Sequence, residues 1–212
     1  VNTLACSPDG KTLVTGSGEP SRSGELKQWD AATGALVKEF KNAHSDTVQS
    51  VDFSGDGKLL ATGAADRFVK VWTVADAKLV KSFEGHTHQV LGVTLKRDGR
   101  IIASAGADNA VKVWSLVTGE VVRTVQGFSK EATSINHVGV GDQFLATGGD
   151  GKVRLINETG GDARTFAGAT DFMYAGAATP DGKVVIAGGQ DGILRIWNGA
   201  NGTSIATFEP PK

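Results

Sequence analysis

Asp66-Arg-Phe-Val-Lys-Val-Trp72 returns 42 residues later as Asp108-Asn-Ala-Val-Lys-Val-Trp114. Each copy reads as a turn led by Asp, then a short strand that alternates apolar and polar residues and ends on Trp. Trp29 and Trp197 fall in the same phase, and Ile156 holds the fifth place. The steps along the series are 43, 42, 42 and 41 residues. Asp66, Asp108, Asp150 and Asp191 each stand six residues before the Trp position. Five units of one design are present, and a fixed period in this range marks a chain built by repetition.

Working outward, each unit keeps one internal order. An alternating strand such as Val48-Gln-Ser-Val-Asp-Phe53 runs into a turn, Ser54-Gly-Asp-Gly57. Its counterparts are Ser7-Pro-Asp-Gly10, Lys96-Arg-Asp-Gly99 and Thr179-Pro-Asp-Gly182, all hairpin chemistry. A small-residue strand follows, Leu59-Leu-Ala-Thr-Gly63 or Ile101-Ile-Ala-Ser-Ala105, then the Asp turn and the Trp strand. Lys78-Leu-Val-Lys-Ser-Phe83 and Glu120-Val-Val-Arg-Thr-Val125 are closing strands. Unit one is longer because Gly18-Glu-Pro-Ser-Arg-Ser-Gly24 is inserted. Four short strands per unit at a period near 42 predict an all-β fold, a β-propeller with five four-stranded antiparallel blades over about 1–43, 44–85, 86–127, 128–169 and 170–209. Glycine supplies 29 of the 212 residues and proline only 5, which fits many tight turns between short strands.

These residues resemble the WD-repeat (WD40-type) propellers over the whole length. Each Asp six residues before Trp matches the family's turn Asp. His44 and His86, each 22 residues before an Asp, match its Gly-His pair. The resemblance implies a hydrogen-bond network of His44, Thr62, Asp66 and Trp72, and a second of His86, Ser104, Asp108 and Trp114. Asp150, Asp191 and Trp197 are partial copies. Phe128 and Ala169 replace His, Ala187 replaces the hydroxyl, and Ser23 stands where the first unit's Asp would sit. A buried carboxylate is costly unless hydrogen-bonded, so such a network acts as a staple between strands. A weaker resemblance, carried by the inserted loop with Ala43-His-Ser-Asp-Thr47, Glu84-Gly-His-Thr-His88 and Gly127-Phe-Ser-Lys130, is to WD-repeat portions of bacterial proteins that carry a c-type cytochrome module elsewhere. It implies an exported or periplasmic parent rather than a cytoplasmic one. No Cys-x-x-Cys-His occurs here, so no haem attaches to these residues.

Family members commonly have seven blades and share the closing blade between the chain ends. Here Val1 enters directly on an inner strand and Ser204-Ile-Ala-Thr-Phe208 completes unit five, which leaves two apolar faces uncovered. Two readings follow: a portion of a seven-bladed or larger ring, or a homo-oligomer that closes through its end blades.

Charge excludes some functions. With 22 basic against 23 acidic residues there is no footprint for nucleic acid, and no apolar run of 18 residues predicts membrane insertion. The single Cys6, on an inner strand, reads as a small buried hydrophobe. His44 and His86 read as structural by phase, and His88 and His137 have no repeat partner; no converging ligand set for a metal is expected, and no cofactor. Asp9, Asp56, Asp98 and Asp181 read as turn formers. The glycines of Gly148-Gly-Asp-Gly151 and Gly188-Gly-Gln-Asp-Gly192 are not phosphate loops, because no helix follows them. No catalytic residue is expected.

What remains is the rim of the axial channel, where the resemblance implies that partner proteins make contact. By phase the rim residues are Asn2, Thr47, Gln49, Gln89, Leu91, Glu131, Thr133, Phe172, Tyr174 and Gln190. Phe172 and Tyr174 are the aromatic pair on an otherwise polar ring, with Leu91 a lesser anchor, the composition of a binding hot spot. The expected function is a non-enzymatic scaffold for protein–protein interaction. The alternatives are a redox-associated accessory domain of a larger cytochrome-containing protein, or a propeller that binds a small ligand.

Overall fold

Val48, Val51 and Phe53 alternate with more polar neighbours along one strand, and the strand buries that apolar face against the sheet beside it. The same rule, applied twenty times, gives the computed structural model of the chain, which describes residues 1–160 and 164–210. Sheet one holds β1 (Thr3–Cys6), β2 (Thr12–Glu19), β3 (Ser23–Asp30) and β4 (Leu36–Glu39). Sheet two holds β5 (Val48–Phe53), β6 (Leu59–Ala64), β7 (Val69–Thr73) and β8 (Leu79–Phe83). Sheet three holds β9 (Val90–Leu95), β10 (Ile101–Gly106), β11 (Val111–Ser115) and β12 (Val121–Val125). Sheet four holds β13 (Ala132–Val138), β14 (Gln143–Gly148), β15 (Val153–Asn157) and β16 (Arg164–Phe166), and sheet five β17 (Met173–Ala178), β18 (Val184–Gly189), β19 (Leu194–Asn198) and β20 (Ser204–Phe208). Every sheet is an antiparallel meander in sequence order, and no helix occurs among the described residues.

Turn chemistry sets the registers. Gly10, Gly57, Gly99 and Gly182 all adopt φ near +70°, and the Asp before each one accepts the amide of the residue after it, as in Lys58 N to Asp56 Oδ1 at 3.1 Å. Ser7, Ser54 and Thr179 hydroxyls donate to the same carboxylates at 2.6–2.7 Å.

Packing runs from blade to blade. Four buried clusters fill the four junctions, one of them Val14, Leu26, Phe40 and Ala43 of sheet one against Val48, Val51, Phe53, Leu60 and Trp72 of sheet two. At the junction of sheets two and three, Gly63 lies so close that a Cβ would stand 2.6 Å from Val90 Cγ1. A recurring aromatic contact marks these junctions: Phe40 meets Trp72 at 5.8 Å, Phe83 meets Trp114 at 5.3 Å, and Phe166 meets Trp197 at 5.7 Å between ring centroids.

Both ends of the array leave apolar side chains exposed. Phe208, in phase with those buried Phe residues, is 58% exposed, with no Trp ring against it among the described residues, and Leu4 on β1 is 62% exposed. Cys6 shares that uncovered face. Contrary to the expectation of a buried thiol, it is exposed, since burial of an inner strand depends on a preceding blade.

The outermost strands β4, β8, β12 and β20 each carry a bulge, at Val37, Val80, Val122 and Ile205, all exposed. A bulge twists an unpaired edge and blunts its capacity to recruit another strand.

Candidate functional site at the channel rim

The inner strands of blades two to five share an irregularity that aims the rim. In each, one extra residue interrupts the pairing with the second strand: Gln49, Leu91, Thr133 and Tyr174. A bulge frees one side chain from the strict alternation of the strand and re-aims it. Two residues earlier stand Thr47, Gln89, Glu131 and Phe172, whose carbonyls accept the amides of Ala65, Ala107, Gly149 and Gln190 at 2.8–2.9 Å. This repeated bond ties the start of each inner strand to the residue before the turn Asp.

The rim side chains then divide. Tyr174 is 57% exposed and its ring centroid lies 5.2 Å from that of Phe172. Phe172 is half-buried, with its ring lying on Gly149, where a Cβ would be 2.5 Å from Cε2. Asn2, Gln89 and Gln190 are exposed, and Gln49, Leu91 and Glu131 half-buried. Two threonine hydroxyls are withdrawn from the rim surface. Thr47 is only 6% exposed, unlike Gln89, Glu131 and Phe172 in the same phase, and its hydroxyl has no hydrogen-bond partner among the described residues. Thr133 spends its hydroxyl inside, 2.6 Å from Met173 O and 2.8 Å from Thr147 Oγ1.

Beneath the rim stand the staples. His44 Nδ1 lies 2.9 Å from Asp66 Oδ2, its Nε2 2.7 Å from Thr62 Oγ1, and Trp72 Nε1 donates to that hydroxyl at 3.0 Å. Blade three repeats this: His86 to Asp108 at 2.9 Å, His86 to Ser104 at 2.7 Å, Trp114 to Ser104 at 2.8 Å. The carboxylate can only accept, so Nδ1 carries the proton; the hydroxyl donates to Nε2 and accepts from Trp. Asp66 also accepts the amides of Ser45 and Phe68 at 3.0 and 3.1 Å.

Charge states follow from burial. Burial pushes His44 and His86 below the ordinary histidine value, outweighing the attraction of their Asp partners, so both rings stay neutral in the fold. Burial pushes Asp66 and Asp108 up, but hydrogen bonds from His and backbone amides prevail and both remain below the ordinary carboxylate value. The unfolded chain therefore takes up two imidazole protons near pH 6.5 that the folded chain refuses. That stability is complete above this pH and is lost as the pH falls. The melting temperature is expected to drop by a few degrees between pH 7 and pH 5, and His44→Gln with His86→Gln should flatten the slope; a flat parent profile would exclude these two rings as the cause.

The incomplete blades solve the same problem with other groups. In blade four Phe128 is buried in the His position and Ile156 in the Trp position, so neither donor exists. Thr147 turns instead to Thr133 and Ser134 at 2.8 and 2.7 Å. Asp150 accepts Ser129 N at 2.8 Å and pairs with Lys152 at 3.1 Å, while Arg154 stacks on Phe128, 4.9 Å from its centroid. In blade five Arg195, only 6% exposed, replaces the missing His: Nη2 pairs with Asp191 at 2.5 Å and Nε donates to Gly168 O at 2.9 Å. Trp197 Nε1 donates to Ala167 O at 2.8 Å. Arg195 escaped the sequence reading because its position, two residues before Trp, is the basic one in every blade (Lys27, Lys70, Lys112, Arg154) and so carries no signal of its own.

Among the described residues no three His, Cys, Asp or Glu side chains gather as a metal site, and no helix is long and apolar enough to cross a membrane.

Comparison with known proteins gives the following. The model of the WD domain, G-beta repeat family (WD40) matches residues 1–30, 34–73, 77–115 and 161–198, more than half of the chain. Human angio-associated migratory cell protein is 30% identical over 202 residues, which is 95% of this chain and 36% of that protein. The WD repeat domain-containing protein 83 homolog of Dictyostelium discoideum is 48% identical over 48 residues, 23% of this chain and 15% of that one. Two solved structures, of U3-55K and of the RRP9 WD40 repeats, superpose with TM-scores of 0.88 at 20% and 21% identity. Each covers 98% of this chain, which spans 64% and 63% of theirs. The chain thus spans less than two thirds of these relatives. The two named relatives are eukaryotic, so kinship with bacterial cytochrome-bearing proteins has no support from them.

Proposed function

The chain belongs to the WD40 family of WD domain, G-beta repeats, and from that premise we propose that it is a non-enzymatic platform for protein–protein interaction, anchored at the channel rim by Phe172 and Tyr174. The observation that carries this reading is the aromatic pair itself, rings 5.2 Å apart with one half-buried and the other 57% exposed. An exposed ring held in place by a packed neighbour loses little freedom on binding, which is how a few aromatic anchors dominate an interface. Leu91 adds apolar area, and Gln49, Gln89, Glu131, Gln190 and Asn2 supply a polar surround. The stapled hairpins below support a rigid display surface that binds with little rearrangement. The exposed apolar side chains Leu4 and Phe208, at the two ends of the array, support a further reading, that both end faces are covered by additional blades or a second copy.

The test is binding of a captured protein partner to the parent and to Tyr174→Ala and Phe172→Ala. Each variant is expected to bind at least tenfold more weakly, with Asn2→Ala nearly unchanged. Folded variants that bind like the parent would rule out the aromatic anchor.

A further inference from the structure

Opposite the rim residues along the inner strands lies a cavity of about 470 Å³ whose walls include Cys6, Asp52, Thr94, Arg97, Asn136 and His137. Asp52 is the unusual member. It accepts Thr94 Oγ1 and Leu95 N, both at 2.8 Å and both on Oδ2, and this ties blade two to blade three. Among the described residues no Lys, Arg or His nitrogen pairs with its carboxylate, and burial pushes its pKa up in spite of the two bonds.

A tie between blades does not need this charge. The corresponding strand positions, each paired to the residue four beyond the turn Gly, are Ala5, Thr94, Asn136 and Ala177. Neutral Asn136 makes the same kind of tie with Nδ2, to Gly176 O at 2.7 Å, without the cost of desolvating a carboxylate. Nor does Arg97 neutralise Asp52: it lines the same cavity, is exposed, and forms no ion pair among the described residues. His137 is occupied elsewhere, its Nε2 donating to Gly141 O at 2.8 Å. The cavity is thus lined by one shielded carboxylate, Asp52, and by the exposed Arg97, which form no ion pair with each other among the described residues, with His137 alongside. A lone cation would be opposed by Arg97 and a lone anion by Asp52, whereas a molecule carrying both signs satisfies both.

We propose that this cavity binds a small zwitterion, with its ammonium on Asp52 and its carboxylate on Arg97. Its size lies within the range of small-molecule sites.

Titration of the chain with glycine, β-alanine and γ-aminobutyrate, followed by amide chemical shifts of Thr94, Leu95 and Asn136, tests this, with methylammonium and acetate as single-charge probes. At least one zwitterion is expected to bind tenfold or more tightly than either single ion, with the preferred chain length reporting the spacing of the two charges. Asp52→Asn, which keeps an acceptor for Thr94 and Leu95, and Arg97→Gln are each expected to weaken that binding at least tenfold. If Asp52→Asn does not fold, Arg97→Gln and Arg97→Glu still decide. Zwitterions no better than the single ions, or variants that bind like the parent, would overturn the proposal; loss on Asp52→Asn alone would make it a cation site and overturn it equally.

Discussion

Trp114→Ala is expected to lower the free energy of unfolding by about 3–5 kcal/mol, the range for deleting a large buried aromatic side chain. Trp114 is 2% exposed and seals the junction of blades two and three, packed against Phe83 at 5.3 Å and His86 at 6.1 Å between centroids. Its indole N–H also satisfies Ser104, whose hydroxyl in turn donates to His86. Truncation leaves a cavity between two sheets and removes the donor at the head of the relay. Trp114→Phe separates the two effects: it keeps most of the apolar volume and loses only the N–H, for an expected cost of about 1 kcal/mol. Urea denaturation of both variants checks this, and equal losses would show that the hydrogen bond, rather than the packed ring, holds the junction.

Arg195→Met is the second large effect, at about 2–3 kcal/mol. The guanidinium is one of the few buried charges and is bonded both to Asp191 and to Gly168 O. Removing it leaves a partly buried carboxylate with only the Ile193 amide at 3.0 Å, and hydrogen bonds to charged groups contribute more than neutral ones. Arg195→Lys retains the charge but not the fork that reaches two acceptors at once, so its loss should be about half. Thermal or urea unfolding measures both. A Met variant as stable as the parent would mean that Asp191 is solvated well enough to stand alone, and that blade five has no staple of its own.

Both cases show where sequence reading reaches and where it stops. The interval of 22 residues from His to Asp and of six from Asp to Trp is a property of one blade's own strand lengths and turns, so the resemblance to WD-repeat propellers, matched at those intervals, could name the members of the two complete networks. The substitution of Phe128 and Ile156 could also be seen, but not that Thr147 would turn to Thr133 and Ser134. Arg195 and Asp52 were invisible for a related reason. The first occupies an ordinary basic position, and the second sits in an ordinary alternating strand; what distinguishes them is which groups lie opposite in three dimensions.

Period, strand order, hairpin turns and the all-β fold were determined by the sequence alone, because local propensity, turn chemistry and repetition act within one blade and are written in it. The tertiary structure decided exposure and partnership. Thr47 is buried though its phase placed it on the rim, and Cys6 is exposed though its strand is an inner one, because burial depends on what packs against each side chain from the neighbouring blade. The aim of Tyr174, the pairing of Arg195 with Asp191 and the unneutralised Asp52 are likewise facts about surfaces brought together from different parts of the chain, and packing alone places those surfaces in contact.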